Sequence, residues 1–130
     1  MTEEMTPMVS KKMLWASYII SAIPVLILTM SAAMKFVKPV GMEEGMKHLG
    51  WEMSQATGLG ILEIACTIVY LIPRTAVLGA ILLAAYLGGA TATHVRVGDP
   101  FYATVILGVL VWLGLYFRDP RLRALVPLRG

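Results

Sequence analysis

The chain of 130 residues has a single cysteine, Cys66, and only two histidines. One thiol excludes an intramolecular disulfide, a CxxC redox pair and any cysteine-based zinc or iron–sulfur site, so thiol-relay chemistry is not available within this chain. Charge is also scarce: Asp, Glu, Lys and Arg make up 15% of the residues, against about 25% in ordinary soluble domains. There is no nucleotide-binding glycine loop, nucleophile elbow or HExxH pattern, and Gly88-Gly89-Ala90 reads as helix packing rather than a phosphate cradle. The formal charge is +3, yet the basic residues stand at the ends of apolar runs without interleaved aromatics. That placement excludes a nucleic-acid surface and assigns the charges to orientation in a bilayer.

What the chain does have is apolar length. A hydrophobic fraction of 58% and a mean hydropathy of +0.75 lie far above a soluble globule. The reading is an all-α membrane protein, a four-transmembrane-helix bundle of one domain. Residues 1–12 form a flexible N-terminal tail, 13–117 the four spans, and 118–130 a basic tail lying on the membrane surface. The step Ser31-Ala32-Ala33 resembles a signal-peptidase site. However, the apolar run before it is about twice a signal h-region of about 7–15 residues, so the first helix is expected to remain uncleaved.

In that first span, Ser17, Ser21, Pro24, Leu28, Ser31 and Lys35 recur at steps of four and three and share one face, predicted to point into the bundle. A polar connection follows from Val37 to Met53. Within it Met42, Met46, Leu49 and Met53 line one side of a predicted short amphipathic segment between helices 1 and 2, anchored by Trp51. Methionine and histidine here admit a soft metal such as Cu(I), but methionine as adaptable packing is the simpler reading, and no metal site is assigned.

The second span, about Ser54 to Ile72, puts Ala56, Gly60, Glu63, Thr67 and Tyr70 on one face, with Cys66 beside it as a small core residue. Pro73-Arg74-Thr75 leaves room only for a tight helical hairpin, so spans two and three are antiparallel neighbours, with Thr75 a candidate cap. The third span, about Ala76 to Val95, carries Ala80, Ala84, Gly88 and Ala92 as a small-residue ridge for close helix packing. The fourth, Phe101 to Phe117, is apolar nearly all round. With both termini on one side, Lys11, Lys12, Arg74, Arg118, Arg121, Arg123 and Arg129 face Lys35, Lys38, Lys47 and Arg96 across the membrane. The basic majority predicts both termini cytoplasmic and a multi-pass protein of the bacterial inner membrane.

Glu63 is the costly residue. A charge at the centre of a spanning helix costs about 2.5–3.5 kcal/mol on insertion scales, so it must be neutral, paired or beside a polar cavity. Counted along its helix it lies roughly 13 Å below the outer boundary at 1.5 Å per residue. Tyr86 sits at comparable depth on the antiparallel neighbour, which makes it the predicted hydrogen-bond partner. Lys35 and His94 are predicted near each other at the outer mouth. Candidate ligand-binding or proton-handling residues are therefore Glu63, Tyr86, His94, Thr67 and Lys35. Three of them have a plainer structural role: a helix-tying hydrogen bond averaging about 0.6 kcal/mol for Glu63, a surface position for His94, and a snorkelling side chain for Lys35.

Three stretches, LIPRTAVLGAILLAAYLGGATATHVRVG, GILEIACTIVYLIP and YFRDPRLRALVPLR, resemble the DoxX-like group of small bacterial four-helix membrane proteins. The likeness runs over nearly the whole chain and is weakest before Met13 and between Val37 and Met53. It implies the four-span bundle and places Glu63, His94, Arg96 and Gly88-Gly89 in the family pattern. The group takes its name from a relative associated with a thiosulfate:quinone oxidoreductase, and other relatives are linked to redox-stress complexes or to receptor assembly. The resemblance thus implies an accessory or quinone-binding component of a membrane redox system, with no intrinsic cofactor, quinone as a ligand, and a membrane redox partner or a second copy of the chain as company. Two other readings remain open from the residues. One is a small-solute or lipid-like ligand binder or transporter with Glu63 as its proton-coupled element, and the other is a structural or chaperone-like interaction protein using the ridge of span three.

Overall fold

Hydropathy and turn residues translate directly into helices. The computed structural model describes residues 9–129. These form helices α1 (Lys11–Val37), α2 (Met42–His48), α3 (Ala56–Leu71), α4 (Ala76–Arg96), α5 (Tyr102–Arg118) and α6 (Pro120–Arg123), with short 3-10 turns at Met53–Gln55 and Pro73–Thr75. No strand occurs among the described residues. Three helical segments, Lys11–Val37, Met53–Leu71 and Pro73–Arg96, are long and apolar enough to cross a membrane, and α5 is a shorter apolar helix of 17 residues. The expected tail over residues 1–12 lies mostly outside the described residues; its last two, Lys11 and Lys12, belong to α1, which Ser10 caps by accepting from Met13 N at 3.2 Å.

The long helices close into a ring. α1 packs on α3 and α5, α3 on α4, and α4 on α5. Helices that pack without a hydrophobic force between them need close backbone approach, and glycine provides it at three of the four seams. A Cβ on Gly79 would overlap the backbone of Tyr70, one on Gly114 would overlap Ser21 Oγ, and one on Gly60 would press on Lys35, Phe36 and the Ala32 carbonyl. The fourth seam, between α4 and α5, is tied by a Thr91–Thr104 hydroxyl hydrogen bond at 2.7 Å and is open on its outer side. It leaves an apolar groove of about 1010 Å³ lined by Ala84, Gly88, Ala92, Val105 and Trp112 among others.

The buried faces are those the spacing indicates. On α1 they are Ser17, Ser21, Pro24, Leu28 and Ala32, and on α3 Ala56, Gly60, Glu63, Cys66, Thr67 and Tyr70. Three local details differ from the sequence reading. Thr75 does not cap α4; its hydroxyl turns back to the Val69 and Ile72 carbonyls, at 2.8 and 3.4 Å, and closes the end of α3 instead. Of the small-residue ridge only Ala80 is buried, whereas Ala84, Gly88 and Ala92 face the open groove. The basic tail is not a simple surface strip, because α6 buries Leu122 against the core.

Candidate functional site

Glu63 needs a counter-charge inside the bundle, and α1 supplies it. The Lys35 ammonium donates to Glu63 Oε1 at 3.0 Å and to Ser31 Oγ at 2.8 Å. Ser31 in turn donates to the same Oε1 at 3.2 Å. Ser31 and Lys35 are four residues apart on α1, so one helix face presents both groups to one carboxylate. Glu63 is 2% exposed and Lys35 17%. The pair is thus graded: the carboxylate is sealed, and the ammonium still touches open space.

That space is a cavity of about 450 Å³ at the end of the bundle where α1 finishes and α3 begins, within the usual range of about 300–1,000 Å³ for small-molecule sites. Lys35, Tyr86, Thr93 and His94 give it polar atoms, Leu59 and Leu62 apolar walls, and Met46, Leu49 and Trp51 a roof. His94 Nδ1 lies 2.7 Å from the Ala90 carbonyl. A carbonyl only accepts, so Nδ1 carries the proton and Nε2 is the acceptor nitrogen of the neutral ring. His94 stands eight residues beyond Tyr86, about 12 Å along α4, and so marks the mouth while Tyr86 marks the floor.

The roof is fastened rather than merely laid on. His48 Nε2 meets both Asp99 oxygens at 3.0 and 2.9 Å, and Arg96 Nη2 donates to the Leu49 carbonyl at 2.6 Å. Both clasps join the α2 region to the end of α4 and the turn after it. Met46 is buried beneath this roof, in keeping with its place on the amphipathic stripe.

The sequence candidates divide accordingly. Lys35, Tyr86 and His94 come together around one cavity. Glu63 lies directly behind it rather than in its wall. Lys35 does not snorkel outward; it turns inward as the partner of Glu63, the role that depth counted along α3 and α4 predicts for Tyr86. Tyr86 lines the cavity, and the side-chain hydrogen bonds that Glu63 accepts come from Lys35 and Ser31. Thr67 is fully buried and donates to the Glu63 backbone carbonyl at 2.8 Å, so it serves α3 and not the cavity. The sequence reading missed the roof clasps and a second polar cluster, Ser21–Tyr70–Arg118 at the opposite end. Ser21 and Tyr70 were visible on inward faces, but their meeting with Arg118 requires knowing that α5 lies against α1.

Arranged this way, the cavity offers hydrogen-bond donors to a flat or branched apolar molecule bearing an oxygen. It also holds a cation at its floor whose charge is balanced from behind. Among the described residues no group of three or more His, Cys, Asp or Glu side chains is placed to hold a metal ion. Residues 19–115 match the family model described as the DoxX-like family. No curated protein and no solved structure matches the chain.

Proposed function

The chain belongs to the DoxX-like family, and from that premise we propose that this membrane protein binds quinone as an accessory component of a redox system in the bacterial cytoplasmic membrane, with both termini on the cytoplasmic side. One observation carries the reading. The cavity floor joins the Lys35 ammonium and the Tyr86 hydroxyl between apolar walls, with Glu63 holding Lys35 from behind. A quinone supplies two-electron, two-proton carrier chemistry to a redox partner when bound.

The protein's share is recognition and proton handling. Lys35 has spent two of its three N–H donors on Glu63 and Ser31 and keeps one for a carbonyl oxygen in the cavity. The ammonium favours that oxygen more strongly as it gains negative charge, because the interaction is made in a water-poor site. Tyr86 adds an O–H at the same depth. His94 Nε2 at the mouth passes protons between water and the floor. Leu59, Leu62 and the Met46–Leu49–Trp51 roof would shield a bound ring from water.

The test is chemical. The protein is purified from its native membrane in mild detergent and its organic extract is analysed by reversed-phase chromatography with ultraviolet and mass detection. The expected result is quinone approaching one equivalent per chain, reduced at least fivefold in Lys35→Met. An extract without quinone above the detergent blank rejects the proposal. Saturable binding of an unrelated solute that Glu63→Gln abolishes would transfer the site to the transporter reading.

A further inference from the structure

At the other end of the bundle, Arg118 reaches back from α5 to α1. Its Nη1 donates to Ser21 Oγ at 2.8 Å. Ser21 Oγ is 2.8 Å from Tyr70 Oη, and Tyr70 donates its proton to the Val111 carbonyl at 2.7 Å. The direction of every proton follows. Tyr70 has spent its hydrogen on a carbonyl, so Ser21 must donate to Tyr70 and accept from Arg118. The guanidinium is therefore held by a neutral hydroxyl and by two aromatic faces, with ring centres 5.5 Å away at Tyr18 and 5.8 Å at Tyr70. Nothing in that arrangement cancels its charge.

The adjacent carboxylate is already committed. Both oxygens of Asp119 are taken by Arg121, from Nε and Nη2 at 3.0 Å each. The other carboxylates among the described residues, Glu43, Glu44, Glu52, Glu63 and Asp99, belong to the cavity end. Lys11, Lys12, Arg74 and Arg123 share the Arg118 end and add only positive charge. The surface beside the guanidinium is apolar: Tyr18 is 57% exposed, between Trp15 at 69% and Ile19 at 60% on the outer face of α1. A half-buried cation with four N–H donors unpartnered among the described residues, at the border of an apolar face, fits a charged group that itself stands at the edge of hydrocarbon.

We propose that Arg118, stacked between Tyr18 and Tyr70, binds the phosphodiester of an anionic phospholipid whose acyl chains run along the exposed face of α1. Guanidinium forks suit phosphate oxygens bidentately. Tyr18 and Tyr70 fix the plane of the fork, and Ser21 fixes its depth. The site is independent of the cavity at the opposite end and of whatever that cavity binds.

The experiment measures lipid retention. Full-length protein in detergent is equilibrated with equimolar phosphatidylglycerol and phosphatidylcholine, and the retained lipid is counted by native mass spectrometry. The expected result is about one lipid per chain with several-fold enrichment of phosphatidylglycerol. Arg118→Gln should abolish that enrichment, while Arg74→Gln, which removes the same charge at the same end but outside the site, should leave it intact. Tyr18→Leu, at an exposed position that does not threaten folding, should lower it at least twofold. Added inorganic phosphate should not displace the lipid. Equal losses in the Arg118 and Arg74 variants, no preference in the parent protein, an unchanged preference in Tyr18→Leu, or displacement by inorganic phosphate would each overturn the assignment.

Discussion

Lys35 and Glu63 depend on each other unequally. Removing one member of a buried ion pair is costly because the other is left charged and desolvated, by about 3–5 kcal/mol in fully buried cases. Glu63 is sealed, whereas Lys35 borders the cavity and can turn toward it. Lys35→Met should therefore destabilise the bundle by about 3 kcal/mol, Glu63→Gln by only about 1 kcal/mol, and a Lys35→Met/Glu63→Met double variant should regain much of the loss. Reversible unfolding in mixed micelles measures all three, and equal single-variant costs would contradict the graded burial. Outside the membrane, the bidentate Arg121 holds the Asp119 carboxyl below its usual range. A lowered folded value means that its stabilisation is complete above the ordinary carboxylate pKa of about 3.9 and is lost as pH falls through the lowered one. The amides of α6, whose first turn Asp119 caps through Arg121 N at 3.0 Å, should thus keep their hydrogen-exchange protection at pH 5 and lose it only in stronger acid. Both members of the buried pair were legible as individuals in the sequence, since a lysine and a carboxylate in apolar spans stand out. Their pairing was not, because depth counted along the α3–α4 hairpin points to Tyr86 and says nothing of where α1 lies.

Among the elements, the tight hairpin of α3 and α4 follows from Pro73-Arg74-Thr75, but its closeness rests on Gly79 under the Tyr70 backbone. Gly79→Ala should cost about 1–3 kcal/mol through overpacking. Gly88→Ala, where an added Cβ meets nothing within 4 Å, should cost almost nothing. Thermal melts of the pair check this, and similar melts would refute the seam. The helix α2 makes a second case. Its amphipathic stripe was readable, yet its use as a roof was not, since the His48–Asp99 and Arg96–Leu49 clasps join segments about 50 residues apart in sequence. An exposed pair contributes about 1 kcal/mol at most. Asp99→Asn should accordingly speed amide exchange across Met42–His48 by about fivefold while leaving α3 unchanged. No difference would make the clasp incidental.

For the molecule as a whole, the fold was almost fully legible because a spanning helix must satisfy its own backbone and show an apolar run long enough to cross. Helix count, the hairpin and the inward faces all follow from that. Ring closure does not, because it depends on which helix meets which over distances that no local spacing encodes. Ring closure is what pairs Lys35 with Glu63, divides the ridge of α4 between core and groove, and separates the Lys35–Tyr86 cavity at one end from the Ser21–Tyr70–Arg118 cluster at the other. The central claim is that the cavity behind which Glu63 sits accepts a quinone at the Lys35–Tyr86 floor. The most direct measurement is a titration with a short-chain quinone in detergent, following Trp51 emission in a Trp15→Phe/Trp112→Phe background. Saturable quenching with one site, weakened about tenfold by Lys35→Met and unchanged by Arg118→Gln, is the predicted result. Quenching that does not saturate, or that Lys35→Met leaves as it was, would contradict it.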